Sequence, residues 1–378
     1  MITTTRTDWP TVALLFLAGL FAAAQFGKIS LTLPDLAALT TQPLPVLAVL
    51  VSVVGLVGLF GGVMAGAVVA ALGPRRVLLA AFALGATLSL AQALLPPFPI
   101  LLGLRIFEGI SHLGIVVAAP PIMAQVATGQ DRPVVMSIWA MFFGVSFAIS
   151  ALIFPTILAT GGLGLLFVLH GVGLAAIGLA LAPRLPRMAR APLDLRPIHA
   201  HIAAYGDPRT AAPGLGFVFY TICYVALLTL LPNALGQPSL GVTLPLISLI
   251  GTLGAGYIAR AVPPHQIAVG GFVLAIIGSL CLWLAIPGSA TVLFLAMGVI
   301  PGASFAMIPH LNDDAPSQAR ATGVIAQMGN VGTVTGTPIF ALVLTNGGVP
   351  GLLTLVAAFS ALGVAVTLTL QALVKRKS

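Results

Sequence analysis

Four ionisable residues lie inside long apolar stretches of the sequence, where they could bind a solute or carry a proton. Lys28 lies in the first such stretch, and Arg105, Glu108 and His112 lie in a later one. The spacing of the last three, i, i+3 and i+7, puts them on one face of a helix. A charged side chain at the centre of a bilayer costs at least about 2.5–3.5 kcal/mol on insertion scales. Such residues face the protein interior or water, so each is a candidate functional residue.

The charges of this set do not balance, because Lys28 and Arg105 supply two cations and Glu108 supplies one carboxylate. A surplus positive charge in a low-dielectric interior favours the binding of an anion such as a carboxylate. Arginine offers a planar bidentate contact, and lysine a point charge. We therefore predict that Lys28 and Arg105 bind an anionic solute, while Glu108 or His112 carries a coupling proton.

Structural roles are the alternative for the same residues. Arg105 can serve only as the ion-pair partner of Glu108 at i+3. Lys28 lies about two turns from the end of its apolar stretch, where a long side chain can reach the membrane interface. His112 can be a hydrogen-bonded packing residue, and we interpret His170, which is alone in its stretch, in that way.

Other polar and aromatic side chains in the apolar stretches could complete a small-molecule site. Gln25 shares the helical face of Lys28 at i, i+3. Two aromatic pairs occur at i, i+4, and two amides interrupt an apolar, glycine-rich run. For the aromatic residues at this spacing, packing is the commoner role. These further candidates for substrate binding are Trp139, Phe143, Tyr220, Tyr224, Gln327 and Asn330.

The sequence contains no cluster with metal-ligand spacing, no catalytic triad and no nucleotide-binding motif. Its glycine series lack the Gly-Lys-Ser/Thr ending of a phosphate loop. We therefore expect no metal and no cofactor, with a proton gradient as the energy source. The nearest approach to an intramembrane enzyme site is the group His310, Asn312, Asp313 and Asp314, for which a solvated helix end is the ordinary explanation.

The composition identifies the elements that must position these residues as membrane helices. Of the 378 residues, 59% are apolar and 6% are charged, whereas a soluble domain has roughly 25% charged residues. Together with a mean hydropathy of +1.12, this excludes a soluble enzyme and a nucleic-acid-binding chain. A helix of about 20 apolar residues crosses a bilayer core. Such stretches lie near 10–34, 44–71, 76–95, 100–125, 135–159, 162–182, 214–235, 240–261, 266–286, 290–311, 321–345 and 350–373.

The positions of the basic residues predict the orientation of these twelve spans. All Lys and Arg other than Lys28 and Arg105 fall in loops or tails on one side, and the opposite loops have none. The positive-inside rule puts that side, with both termini, in the cytoplasm. We expect the inner membrane of a bacterium. The residues on the cytoplasmic side are Arg6, Arg75, Arg76, Arg132, Arg184, Arg187, Arg190, Arg196, Arg209, Arg260, Arg320, Lys375, Arg376 and Lys377.

A basic segment between the sixth and seventh spans divides the chain. It covers 183–213 and carries five arginines, Arg184, Arg187, Arg190, Arg196 and Arg209. We predict a six-helix bundle over 1–182, a cytoplasmic linker over 183–213 and a second six-helix bundle over 214–378. The fold class is therefore an all-α membrane protein with two six-helix pseudo-repeats, the arrangement of a rocking transporter.

Two motifs in the first half resemble those of the major facilitator superfamily, and the resemblance covers the whole length of the chain. The loop after the second span runs from Gly66 to Arg76, and Gly73, Arg75 and Arg76 match the signature of the family. Ala70 and Ala71 stand where the family has an acidic–basic pair. The resemblance implies that these matching residues act in gating, and the two alanines put in doubt the ionic latch to which the acidic residue belongs.

The fourth span is similar to the motif of that helix in the family, with Arg105, a polar residue at Glu108 and Gly109. The resemblance implies that spans one and four line a central cavity, so that Lys28 would meet the Arg105–Glu108 pair. The pairs Gly27-Lys28 and Leu33-Pro34 resemble the branch of cyanate-type and nitroimidazole-type transporters.

These observations together predict a secondary active transporter of a small anionic organic solute, coupled to protons as a symporter. Its partners would be the solute, protons and the lipid bilayer, with no nucleic acid, and it would act as a monomer. The alternative in the same fold is a proton-coupled exporter of lipophilic or cationic compounds, with Glu108 as the cation site. An intramembrane enzyme is a remote alternative, and a channel or a solute sensor is another.

Overall fold

The computed structural model describes residues 6–40, 42, 44–192, 196–237 and 239–376. Lys377 and residues 193–195 of the linker lie outside this part. Within it the chain is all-helical. The helices are α1 (Trp9–Ser30), α2 (Leu33–Ala38), α3 (Leu44–Leu72), α4 (Pro74–Gln92), α5 (Phe98–Val126), α6 (Arg132–Ala140), α7 (Phe142–Leu181), α8 (Pro197–Tyr205), α9 (Pro208–Ala234), α10 (Leu240–Ile258), α11 (Pro264–Trp283), α12 (Ser289–Leu311) and α13 (Ala315–Arg376).

Several of these helices begin at a proline in the first turn, where the missing N–H breaks no intrahelical hydrogen bond. In α1 the turn is also capped, because the Asp8 carboxylate accepts from the Thr11 amide at 3.1 Å. Gly73 ends the link between α3 and α4 with a φ of 89°, a conformation that glycine adopts without a steric penalty. The tight α3–α4 turn therefore depends on this glycine.

Ten helices of the described part are long and apolar enough to cross a membrane. Two of them, α7 with 40 residues and α13 with 62, exceed the roughly 20 residues that one crossing needs. Each contains one non-helical residue: Gly162 has φ 65° and ψ −165°, and Gly348 has φ 60° and ψ −160°. This backbone region is essentially restricted to glycine. The chain thus changes direction at these two glycines.

One buried apolar cluster fills the first half and extends into the second, and another lies within the second half. The first of these clusters includes Trp139 and Leu174 from the first half and Phe217, Phe305 and Ile325 from the second. Helix α3 packs along α13, and α6 packs against α10 and α12. These contacts bring the halves together.

Small residues allow the closest of these approaches. A Cβ atom on Gly66 of α3 would lie 2.8 Å from the Ala319 carbonyl oxygen and 3.2 Å from the Arg320 Cα of α13. Small residues at such positions let two helix backbones approach each other in a membrane. The contact lies near the loops that carry the arginines, so the halves are closed at that end.

Replacing Gly66 by leucine is expected to force α3 away from α13, because overpacking a tight contact costs about 1–3 kcal/mol. Thermal unfolding in detergent should show a Tm lower by about 2–5 °C. The matched control is Gly270→Leu, since a Cβ on Gly270 in α11 meets nothing within 4 Å. Equal Tm values for the two variants would contradict the proposed backbone contact.

Candidate functional site

Three charged side chains from two helices form a buried cluster in the first half of the molecule. Lys28 of α1, Arg105 and Glu108 of α5 are each 0% exposed. The Lys28 Nζ lies 2.5 Å from Glu108 Oε1, and the Arg105 Nη1 contacts Glu108 Oε2. Gln92 of α4 also donates from Nε2 to Glu108 Oε2 at 2.7 Å. The carboxylate therefore lies between two cations, and we call these three residues the charged triad.

Lys28 points from α1 toward α4 and toward the part of α7 after Gly162. Its Nζ donates to the Ser89 Oγ at 2.9 Å and lies 5.1 Å from the centroid of the Phe167 ring. The His170 Nδ1 is 3.1 Å from the same Ser89 oxygen. A cation close to an aromatic face is stabilised by the ring quadrupole. The ammonium group is thus surrounded by groups that favour its charge but supply no further carboxylate.

Arg105 connects the backbones of two neighbouring helices. Its Nε donates to the Leu50 carbonyl of α3 at 2.9 Å, and its Nη1 to the Gln25 carbonyl of α1 at 2.8 Å. Its Nη2 is buried and has no hydrogen-bond partner among the described residues. The Gln25 side chain belongs to the same layer, since its Nε2 donates to Ser111 Oγ at 3.2 Å. One strong donor therefore stays available inside the cluster.

The triad carries a formal charge of +1 when all three groups are ionised. His170 adds no balancing negative charge, and its Nε2 donates to the Phe21 carbonyl at 2.9 Å. Buried ion pairs are stable only when charge and hydrogen bonds are both satisfied. Here the charge is unbalanced and the Arg105 Nη2 lacks a hydrogen-bond partner among the described residues, so the cluster can accept one anion or lose one proton.

His112 lies four residues after Glu108 in α5 and contacts α1. Its Nδ1 donates to the Ala22 carbonyl at 2.9 Å, since a carbonyl only accepts, and its ring makes an edge contact with Phe26 at 4.9 Å. Phe26 in turn meets Phe143 of α7 at 5.8 Å. Phe143 is 41% exposed. His112 and Phe143 therefore belong to an aromatic group distinct from the triad.

The remaining predicted residues form separate contacts. Trp139 is fully buried and stacks on Phe142 at 4.8 Å. Tyr220 stacks on Tyr224 at 5.0 Å, and the Tyr224 hydroxyl is 2.5 Å from the Ser248 hydroxyl. The Trp139 and Tyr224 contacts join neighbouring helices, and the Tyr220–Tyr224 stack lies within α9. The structure thus brings Gln25, Lys28, Arg105 and Glu108 together, and places the aromatic candidates elsewhere.

Gln327 and Asn330 lie where α13 meets α3. The Gln327 Nε2 donates to the Leu59 carbonyl of α3 at 2.9 Å, and its Oε1 accepts from the Tyr205 hydroxyl of α8 at 2.5 Å. Burial raises the pKa of Tyr205 to about 12, so the phenol stays protonated as a donor. Asn330 donates to the Ala326 carbonyl at 2.8 Å. Gln327 of α13 therefore connects the second half to α3 of the first half and to the linker helix α8.

Sequence reasoning missed Ser89 and Gln92 and interpreted His170 as a packing residue. Ser89 and Gln92 lie at i, i+3 near the end of an apolar helix. Polar side chains at such a spacing inside a span are themselves a signal, because unpaired polar groups in lipid are costly. No pattern in the sequence shows that α4 and α7 face Lys28.

The residues of the loop after α3 contact the linker instead of an acidic partner. The Ala191 amide donates to the Ala70 carbonyl at 2.9 Å, and the Arg75 Nη2 donates to the Ala182 carbonyl at 3.0 Å. Gly73 lies against the Arg190 side chain. At the position of the missing acidic residue, a main-chain hydrogen bond thus joins the linker to α3.

An ion pair between the halves lies at the same end. The Arg260 Nη2 donates to Asp131 Oδ1 at 2.7 Å, and the Thr7 hydroxyl donates to Asp131 Oδ2 at 2.6 Å. The hydrogen bond from Thr7, followed by those from Thr128 and the charge of Arg260, lowers the pKa of Asp131, while partial burial acts in the opposite direction. The carboxylate therefore stays ionised and holds this end closed.

Two members of the possible enzyme group near the end of α12, Asn312 and Asp314, make local structural contacts. Asn312 donates to the Arg209 carbonyl at 3.1 Å, and Asp314 Oδ1 accepts from the Ser317 amide at 2.8 Å. Capping of this kind satisfies the free donors of a helix start. Both residues thus stabilise the link between α12 and α13.

Comparison with known proteins gives a family and a fold. The family model described as "Major Facilitator Superfamily" matches residues 15–318. No curated protein matches the sequence. Similar solved structures include the human organic anion transporter MFSD10 (TETRAN), with 16% identity, a TM-score of 0.75 and coverage of 94% of this chain and 98% of that one.

Two sugar transporters have the same fold. The fucose:proton symporter FucP of E. coli has 15% identity and a TM-score of 0.73, and covers 96% of this chain and 98% of its own. The proton:xylose symporter XylE has 14% identity and a TM-score of 0.70, with 97% and 95% covered. At these identities the likeness concerns the fold alone.

The surplus positive charge predicts unequal effects of two triad substitutions. Glu108→Gln leaves two buried cations without a carboxylate, and breaking a buried pair in this way costs about 3–5 kcal/mol. Lys28→Met leaves Arg105 and Glu108 as a balanced pair and should cost much less. Thermal unfolding in detergent and the yield of monodisperse protein measure both effects. A Lys28→Met variant less stable than Glu108→Gln would show that the triad carries no surplus charge.

Proposed function

The chain belongs to the major facilitator superfamily, and on that premise we propose that it moves a small anionic organic solute across the membrane together with protons. Membership makes it a multi-pass integral membrane transporter and not an enzyme. The observation that carries the proposal is the charged triad of Lys28, Arg105 and Glu108, which is fully buried and has two cations for one carboxylate.

The anion site in this proposal is the cationic side of the triad. A carboxylate would neutralise the surplus charge, and the unpartnered Nη2 of Arg105 offers it a charge-assisted hydrogen bond. Lys28 adds a second positive group close by. The triad is closed to solvent in this conformation, so entry of the solute belongs to another step of the alternating-access cycle. Among the other predicted substrate residues, Gln25 lies next to this site.

Proton coupling follows from the same charge balance. Glu108 accepts from Gln92 and Arg105 and faces Lys28, and this arrangement holds it as a carboxylate. Loss of one proton from Lys28 makes the triad neutral and removes its attraction for an anion. Binding of the anion and of the proton therefore favour each other by the same factor. In this proposal the proton binds to and leaves Lys28 while the Glu108 carboxylate stabilises the protonated form, and the proton-carrying roles of Glu108 and His112 stay predictions.

We propose twelve membrane spans in two bundles of six. Division of α7 at Gly162 and of α13 at Gly348 turns the ten long apolar helices into twelve. The bundles would cover 1–182 and 214–378, joined by the linker 183–213. The asymmetry of the basic loops supports cytoplasmic termini and a bacterial inner membrane. The protein would act as a monomer, and Gly73, Arg75 and Arg76 would act in gating.

The names of the structural neighbours are compatible with this class of solute and coupling ion. One is an organic anion transporter and two are proton symporters. The resemblance to cyanate-type and nitroimidazole-type transporters also concerns small solutes.

A proton-coupled exporter of lipophilic or cationic compounds is the second candidate. The aromatic group of Phe26, Phe143 and Phe147 favours it, since ring centroids lie 5.8 and 4.8 Å apart along the group and could bind an apolar cation. Its expected cation site is Glu108, and this carboxylate already contacts two cations. The anion proposal is therefore better supported.

Uptake of labelled organic acids into proteoliposomes, with the internal pH followed by a trapped dye, tests the proposal, because a monoanion that moves with one proton carries no net charge. The uptake of small organic acids should grow as the pH on the loading side falls and should acidify the lumen, and Lys28→Met should reduce it at least about tenfold, which corresponds to about 1.4 kcal/mol. Amines and neutral sugars should show no such uptake. The matched control is Lys375→Met, which removes an exposed lysine near the C terminus.

Responses to amines or lipophilic cations alone, retained in Lys28→Met, would overturn the anion proposal in favour of the exporter. Uptake of organic acids that neither depends on pH nor acidifies the lumen would support the anion site and contradict the proton coupling.

A further inference from the structure

A cavity of about 500 Å³ lies away from the charged triad, at the end of the first half where the loops carry the arginines. We call this the basic-loop end. The cavity is formed where α3 ends and α4 begins, together with the start of the linker after α7. In the part of the chain that the structure describes, every ionisable residue of its lining is an arginine. These four residues are Arg75, Arg76, Arg187 and Arg190.

No carboxylate among the described residues pairs with these four arginines. Arg75 donates to the Ala182 carbonyl at 3.0 Å, a contact that adds no negative charge. Elsewhere on the same end, Arg260 does have a carboxylate partner in Asp131. Four guanidinium groups that have no carboxylate partner in the described part of the chain repel each other around one cavity, so an anion in the cavity is stabilised by all of them.

The start of α4 adds to the positive potential. Gly73 and Pro74, the first residues of this 19-residue helix, line the cavity. The dipole of a helix start favours a bound anion, phosphate in particular. Arginine is also suited to phosphate, because its fork of donors matches two phosphate oxygens. Helix and side chains thus favour the same ligand chemistry.

Apolar side chains line the cavity beside the arginines. Leu72, Leu79 and Met188 belong to the lining, and Leu72 is 42% exposed. The cavity lies where two long apolar helices end, which is the depth of the lipid headgroups if both helices cross the membrane. A ligand with a phosphate and an adjoining hydrocarbon part matches this combination better than a free inorganic ion.

We propose that this cavity binds the phosphate of an anionic phospholipid of the surrounding bilayer. Basic pockets at the cytoplasmic ends of membrane helices are suited to such headgroups. Arg187 and Arg190 come from the linker, whereas Arg75 and Arg76 come from α4. The bound lipid joins these two segments and reinforces the main-chain contact between Ala191 and Ala70.

Lipid titration of the purified protein in detergent tests this site. Short-chain phosphatidylglycerol is added, and binding is measured by native mass spectrometry and by the rise in Tm. Parallel titrations use phosphatidylcholine of the same chain length and inorganic phosphate. We expect saturable binding of phosphatidylglycerol that neither of the other ligands reproduces at the same concentration.

The variant that tests the residues is Arg187→Gln with Arg190→Gln, which should weaken phosphatidylglycerol binding at least about tenfold. The matched control, Arg184→Gln with Arg376→Gln, removes two exposed arginines that do not line the cavity and should change it less than about twofold. If the double variant unfolds, Arg76→Gln alone replaces it. An equal effect of inorganic phosphate, or equal binding by both double variants, would overturn the proposal.

Discussion

The first half of this transporter depends on one carboxylate held between two cations inside the membrane. Glu108 contacts Lys28 and Arg105, and through them the hydrogen bonds reach the backbones or side chains of α1, α3, α4 and α7. In lipid, helices gain little from apolar contacts with each other, because lipid tails are equally apolar. A satisfied polar network therefore specifies which faces of these helices meet. The same network carries the surplus charge from which the transport proposal follows.

The second half has no such charged cluster among its described residues and uses close backbone packing instead. Thr252 of α10 donates to the Gly298 carbonyl of α12 at 2.8 Å, and a Cβ on Gly278 of α11 would lie 2.9 Å from the Leu293 Cα. Glycine contacts of this kind permit small displacements more readily than a buried ion pair does. The two halves are thus stabilised by different interactions, and the polar half is the one suited to hold an ion in fixed geometry.

The sequence predicted the apolar helices and singled out Lys28, Arg105 and Glu108, because charges are rare inside membrane spans. That Lys28 would meet the other two was implied by the resemblance to the major facilitator superfamily. The sequence could not predict the positions of Ser89, Gln92 and His170 around them. In a helix that is apolar on every side, no periodicity shows which face points inward. For the same reason the sequence could not show that Gln327, a candidate for substrate binding, lies between α3 and the linker helix α8. The short helix α8 itself has no apolar signal of membrane length.

The depth of each positive group in the membrane determines which anion it can bind. Two unit charges 4 Å apart interact by about 1 kcal/mol in bulk water and several times more near a protein interior. One surplus charge in the buried triad is therefore enough to favour a small anion, and loss of one proton from Lys28 is enough to release the anion. At the basic-loop end, water and salt screen each arginine, so a single arginine attracts an anion only weakly. Several arginines around one cavity, with apolar contacts beside them, are needed there, and these suit a lipid that the bilayer keeps at high local concentration.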